Sequence, residues 1–555
     1  MKELNGKMLI ILFLSALAVY GTGMFIGLMN ADAAQYASMS REMAEHGSYL
    51  IVREHLGHYL DKPPLLLWLS ALSFRIFGIS DFAYRIPSFL FTLLGLYSTF
   101  RLGRLLYNKK VGIYASLLLL TCQAWFLINH DIRTDTILAA SVIFSIWQIY
   151  EYTLTNKILS FFLGFAGIAV SMLVKGPIGI MVPVLALGSH FLIKRDWKNI
   201  FRWQWLAGLI VVLILLLPML WGLYMHADAY PENPLYQKDK YYALRFYFWI
   251  QSFGRITGES SWHNAHDPFF FVHTFIWSFF PWAFITFTGI YLAIRNLFRI
   301  GKDKNPDREW ITLAGVLLVI IAFSFSKYVL PHYIYVIFPL AAIITGSVIY
   351  EILGKIRVLT RTIVWIQAVC VGVTFIAGFL ILTVVFPSHS IFLWTAYGAA
   401  LLLSLLFMRV TGSFEIRLIV PSVIAIVGFN LILNAHFYPE LIKYQSDIRA
   451  AEVISKGTIP RERIYAFNII RYSFEYKTGK YELPVRDTST LSRLIREKNV
   501  WIFTDRANIG VVRSIDPNPV EEYEFDDYPV TRLKGKFLNA TTRSQAVSKA
   551  YLLRY

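Results

Sequence analysis

The sequence predicts a polytopic α-helical membrane protein carrying a small C-terminal α/β domain outside the cytoplasm. Three observations lead there. Of 555 residues, 56% are hydrophobic and only 16% are charged, whereas soluble domains carry roughly 25% charged residues. The mean hydropathy is +0.51, and the apolar residues fall in long recurring runs. The formal charge of +17 collects in short gaps between those runs. That is the positive-inside signature of membrane topology, not a nucleic-acid footprint. Cys122 and Cys370 both lie inside apolar runs, so no disulfide framework is on offer.

Crossing the hydrocarbon core takes about 20 apolar residues, and by that measure about 13 spans are expected. They lie at 8–29, 82–106, 111–128, 135–153, 158–174, 177–193, 204–223, 269–294, 311–326, 331–350, 362–386, 391–408 and 417–437. The first run follows Lys2 and Lys7 and precedes "NADAAQ", a loose match to a cleavage site. It is longer than a signal-peptide core, and Asp32 sits in the would-be site, so a retained helix is expected. The basic gaps are Arg101–Lys110, Lys194–Arg202, Arg295–Arg308, Lys355–Arg361 and Arg409–Arg417. Together with Lys2 and Lys7 they all fall on one side if the spans alternate.

A membrane domain over 1–437 then places two polar loops, 30–81 and 225–268, on the non-cytoplasmic face. The tail 438–555 lies there too. It opens with "SDIRAAEVISKG", a helical pattern with Ser446 as cap and Gly457 as stop. Strand-like "RIYAFN" and "VWIFTD" follow, separated by the helical "LSRLIREK".

No Walker loop, HExxH or cysteine metal motif occurs. The candidate chemistry lies in polar residues at helix mouths on one face, where charge near membrane depth is expensive. Asp32 stands where the first span ends and a short amphipathic helix starts, a position that also suits an N-cap. "DKPP" sets Asp61 and Lys62 before Pro63 and Pro64 at a helix start. In "NHDIRTDTILAAS", Asp131 and Asp135 share one side if the stretch is helical. With Arg133 between them, they also read as local ion pairs. Lys175 precedes a Gly176–Pro177 turn and reads as an interfacial anchor. Arg255 lies among aromatics, and Lys327, His332 and Tyr333 meet another helix boundary. His263 and His266 are spaced to share a metal, although zinc wants at least three protein ligands. Lys62, Arg255 and Lys327 as cations, with Asp32 and Asp135 as acids, suit an anionic lipid headgroup beside an activating carboxylate.

These motifs, in this order, resemble the membrane-embedded class C glycosyltransferases that use polyprenyl-phosphate sugars. The likeness is above all to the lipid A 4-amino-4-deoxy-L-arabinose transferases, and more distantly to protein O-mannosyltransferases. It rests on "NADAAQYA", "DKPPLLLWL", "FGISDFAYRIPS", "RTDTIL", "KGPIG", Arg255 and "SFSKYVLPHYIYVIFP", and covers residues 8 to about 350. The resemblance implies Asp32 as catalytic carboxylate and Asp135 as a second functional acid. It implies Lys62 and Arg255 as grips on the lipid phosphate, with Tyr333 as a further contact, beside which Lys327 stands as a further phosphate-binding candidate from the constellation of cations. Asp61 falls where relatives carry a Glu linked to a divalent metal, zinc or magnesium, with His263 or His266 to complete the site. Two departures stand out: Asp61 is shorter than Glu, and Ala33 follows Asp32 where relatives often have a second acid.

The resemblance further implies inverting transfer from a polyprenyl-phosphate donor to a lipid, glycan or protein acceptor. No nucleotide cofactor and no nucleic acid enter this reading. The expected location is a bacterial inner membrane, with the site on its outer face. The alternative is a multi-pass flippase or transporter; against it, polar residues gather at one face and no internal repeat is evident.

Overall fold

The computed structural model describes residues 4–29, 32–55, 57–264, 267, 269–298, 309–409 and 413–555, with 296–298 through their backbone only. Among them, nine helices are long and apolar enough to cross a membrane. These are Gly6–Gly23, Asp81–Leu106, Thr134–Thr155, Ile158–Lys175, Trp197–Ala229, Pro331–Ile352, Arg357–Val385, Ile391–Arg409 and Phe414–Ile442. The pair Lys109–Leu120 and Gln123–His130, bent by 51°, makes a tenth if counted as one span. The remaining expected runs fold as shorter apolar helices, Ile178–Lys194, Ala283–Arg295 and Ile311–Ser324. The count from apolar runs therefore exceeds what helix length alone supports. In the run 269–294 the break has a local cause. A first helix stops at Ser278 and the next starts at Ala283; Pro281 between them has no amide to continue the ladder.

Without a water-driven force between helices, membrane spans associate through close contact at small residues. A Cβ on Gly112 would lie 2.4 Å from the Phe100 carbonyl oxygen, and one on Gly164 would lie 2.6 Å from the Ile149 side chain. These glycines let Asp81–Leu106 approach Lys109–Leu120, and Thr134–Thr155 approach Ile158–Lys175, at close range.

The chain after the last span forms a four-stranded sheet. Strands β1 (Arg53–Glu54) and β2 (Gly57–His58) make a minimal hairpin in the first loop, and β3 (Ile464–Ala466), β4 (Trp501–Asp505), β5 (Glu521–Asp527) and β6 (Ser548–Arg554) make the terminal sheet. Its order is β3-β4-β6-β5, with β3 and β4 parallel and the other pairs antiparallel. Side chains alternate across a strand. Trp501 and Phe503 of β4 accordingly pack on the Ser446–Lys456 and Tyr472–Thr478 helices, whereas Ile502 packs on Thr488–Glu497. The expected cap at Ser446 shifts by one residue. Gln445 holds that position, and the Ser446 hydroxyl instead donates to Asp527 at 2.6 Å.

This terminal module sits on the helix Asp32–His46. Arg41 donates to the carbonyls of Tyr476 and Lys477, Arg461 and Tyr481 converge on Glu45, and Lys477 reaches Asp81 at 2.7 Å. His55 of the first loop pairs with Glu475 at 2.9 Å. Burial opposes protonation of His55, but the Glu475 carboxylate outweighs it and raises the imidazole above its ordinary 6.5. Below pH 6.5 His55 is charged whether or not the module is docked, so the full contribution is present there. It is lost as pH rises through the raised value. The melting temperature should therefore fall between pH 6.5 and mildly alkaline pH. His55→Phe should flatten this pH dependence.

Candidate active site

Six segments converge on a cavity of about 320 Å³ at the mouths of the spanning helices. Four of them are delivered by an identifiable local signal. Asp32 opens the helix Asp32–His46, where an acid favours the N-terminal end of the dipole. The buried Tyr84 hydroxyl ties that first turn down by donating to the Ala33 carbonyl at 3.0 Å. Pro64 immediately precedes the helix Leu65–Phe77, so "DKPP" starts a helix and leaves Asp61 and Lys62 at its mouth. Asp135 lies in the first turn of Thr134–Thr155, and Lys175 ends the antiparallel Ile158–Lys175. Gly176 then takes φ +77°, a left-handed turn that glycine adopts without strain.

Two charged chains line the cavity. In the first, Lys62 donates to Asp61 at 2.7 Å, and the Gln251 amide donates to both the carbonyl and the carboxylate of Asp61. Arg255 donates to Gln251 at 2.8 Å and to the Tyr333 hydroxyl at 2.5 Å. Burial opposes the charge on Asp61, but Lys62, the Gln251 amide and Arg255 hold its carboxyl below the usual carboxylate range. In the second chain Lys175 pairs with Asp135 at 2.5 Å, and Arg133 bridges Asp131 and Asp32. Lys175 also lies 4.8 Å from the Tyr333 ring centroid, a cation–π distance. Along the wall Lys62, Arg133, Lys175 and Arg255 outnumber Asp32, Asp61 and Asp135. The cavity is thus biased toward an anion while keeping accessible carboxylates: the Asp32 side chain is 43% exposed and that of Asp61 37%, but that of Asp135 only 3%.

Of the expected site residues, Asp32, Asp61, Lys62, Asp135, Arg255 and Tyr333 meet at this cavity. Lys327 does not. Its amide donates to the Arg255 carbonyl at 2.9 Å, and its exposed side chain lies over Gly258, reaching toward the Thr257 carbonyl. Nor is the expected divalent-metal set brought together among the described residues. His263 is exposed and faces the Ser261 carbonyl, and His266 lies outside the described residues. Asp61 is engaged by the Lys62 ammonium and the Gln251 amide. Among the described residues no group of three or more His, Cys, Asp or Glu gathers in ligating range.

Asp131 and Asp135 do not share a helix face. Asp131 follows Gln123–His130, whereas Asp135 starts the next helix. Sequence reasoning read Arg133 and Lys175 as a local pair and an anchor, and it passed over Gln251. Only packing shows that they line the same wall. The one available signal was their place at helix ends on the same face.

Residues 61–221 match the family described as dolichyl-phosphate-mannose-protein mannosyltransferase. Curated relatives include the undecaprenyl phosphate-alpha-4-amino-4-deoxy-L-arabinose arabinosyl transferases of Edwardsiella ictaluri and Shewanella sediminis. The first is 28% identical over 341 residues, covering 58% of this chain and 55% of the relative. The second is 26% identical over 330 residues, covering 58% and 56%. An uncharacterised protein of Aquifex aeolicus is 25% identical, covering 60% and 61%. The matches thus span little more than half the length of these relatives. The crystal structure of ArnT from Cupriavidus metallidurans bound to undecaprenyl phosphate superposes with TM-score 0.74 at 18% identity, covering 98% of this chain and 97% of that one. The two share a fold. The Archaeoglobus fulgidus oligosaccharyltransferase aligns with TM-score 0.50 at 12% identity, over 91% and 71%. The resemblance to class C membrane glycosyltransferases drawn from the motifs stands.

Proposed function

We propose that this protein transfers a glycosyl group from a polyprenyl monophosphate to an acceptor of the cell envelope, at the non-cytoplasmic mouth of its membrane helices. The observation that carries the reading is the convergence of Lys62, Arg255 and Lys175 on one cavity beside the exposed carboxylate of Asp32. In this reaction an acceptor oxygen bonds to the anomeric carbon while the carbon–oxygen bond to the phosphate breaks. Asp32 takes the acceptor proton as general base. The electron pair leaves with the phosphate oxygen, where Lys62 and the planar fork of Arg255 meet the added charge. One displacement inverts the anomeric centre. The sugar arrives already activated on lipid, so no nucleotide is needed.

The named activity of the curated relatives makes a 4-amino-4-deoxypentose the first donor to test, with a lipid A-like glycolipid as first acceptor. The decisive experiment incubates the purified protein with a panel of polyprenyl-phosphate sugars and candidate acceptors. Release of polyprenyl phosphate coupled to acceptor glycosylation is expected. Movement of intact donor lipid across a vesicle membrane without bond cleavage would instead support the flippase reading.

Asp135 acts in this scheme by holding Lys175 rather than by touching the acceptor. Breaking a buried pair by removing one charge costs about 3–5 kcal/mol. Asp135→Asn should therefore lower the melting temperature and the folded yield as well as turnover, which a thermal-shift assay in detergent will read.

A further inference from the structure

The acid assigned as base is gripped by a residue that the proposed reaction does not use. Arg133 stands in the break between Gln123–His130 and Thr134–Thr155, and its guanidinium is forked between two carboxylates. Its Nε donates to Asp131 at 2.7 Å, and one terminal nitrogen donates to Asp32. Burial opposes the charge on Arg133, but Asp131 and Asp32 together hold it firmly protonated. Asp131 has one buried carboxylate oxygen, Oδ1, with no hydrogen-bond partner among the described residues; its other oxygen is the one on Arg133.

One buried side chain touches the segments that lead toward both carboxylates. Arg85 donates to the carbonyl of Ile26 at 2.5 Å and contacts that of Gly27, at the end of the first span. It also contacts the carbonyl of His130, just ahead of Asp131. A buried guanidinium spread over carbonyls, with no carboxylate of the described residues hydrogen-bonded to it, is an expensive arrangement. Here it ties the end of the first span to the His130 end of the break that carries Arg133.

We infer that Arg133, held by Asp131, is the positioning residue that aims the Asp32 carboxylate at the acceptor, as a third group orients the base in other catalytic constellations. An orienting group of this kind fixes the geometry in which the base meets its proton. The inference rests on the proposed glycosyl transfer for its functional half. Its structural half, the Arg133–Asp32 pairing, stands apart.

The test therefore has two arms, both on the full-length protein in detergent. In the first, a hydrophobic carbodiimide labels carboxyl groups, and Asp32 modification is followed by mass spectrometry. Arg133→Met should speed labelling of Asp32 roughly tenfold, the size of a lost charged hydrogen bond. An unchanged rate overturns the inference whatever the activity of the wild type.

In the second arm, Arg133→Met should lower kcat about 100-fold, the usual scale of a general-base contribution. The donor KM should stay within about threefold. Arg133→Lys should keep at least about a tenth of the rate, and Asp131→Asn should lose about tenfold. A purely structural Arg133 would lower the melting temperature and raise the donor KM together, with no rescue by Lys; that outcome also overturns the inference. If the wild type cleaves no polyprenyl-phosphate sugar, the proposed function fails, while the labelling arm still decides the pairing.

Discussion

Asp32→Asn should abolish glycosyl transfer, lowering kcat by about 10³-fold or more, within the usual range for a general base. Donor binding should survive. The argument is steric as much as electronic. Asn keeps the shape and the carbonyl oxygen that Arg133 grips, so the first turn of Asp32–His46 and its anchor at Tyr84 remain. What disappears is the capacity to accept a proton at the cavity wall. Purified variant and wild type should melt within about 2 °C of each other, as surface-accessible substitutions usually do, and should bind polyprenyl phosphate alike. Turnover within tenfold of wild type would remove Asp32 from the role of base and leave the cavity a binding site awaiting another.

Lys62→Ala and Arg255→Ala should each weaken donor binding by about 10- to 100-fold, the value of one charged hydrogen bond. The larger effect is expected at Arg255. Its loss strips two partners at once, because Tyr333 and Gln251 both take hydrogen bonds from its guanidinium. Gln251 in turn holds Asp61, so the whole wall from Lys62 to Tyr333 loosens. Arg255→Lys should restore the charge but not the fork, recovering affinity only in part. Titration with polyprenyl phosphate, followed by intrinsic fluorescence of the nearby tryptophans, reads this directly. A Kd unchanged by Arg255→Ala would place the lipid phosphate elsewhere.

Much of the fold was legible before any coordinates. Apolar runs mark where helices lie, because hydrocarbon tolerates no unpaired backbone. "DKPP" and "KGPIG" marked helix mouths through proline and glycine, whose backbone preferences act locally. The candidate site was legible in part: six of the expected residues do line one cavity. Lys327 was misplaced because its position at a helix boundary says nothing of which way a long side chain turns. Equally beyond local pattern is that His263 is exposed and that a neighbouring lysine and glutamine engage Asp61.

The amino-acid sequence by itself determined a chain of apolar helices with its charge confined to their ends, and a mixed α/β tail. Those features depend on composition and short-range periodicity alone. Tertiary structure decided which helix ends meet: that Arg133 reaches back to Asp32, that Lys175 crosses to Asp135, and that the terminal module docks on the helix bearing Asp32. The physical reason is distance along the chain. A charge buried at a helix mouth must find a partner in space. The partners it finds here lie 101 residues away for Arg133 and 40 for Lys175, far beyond any spacing that local pattern can report.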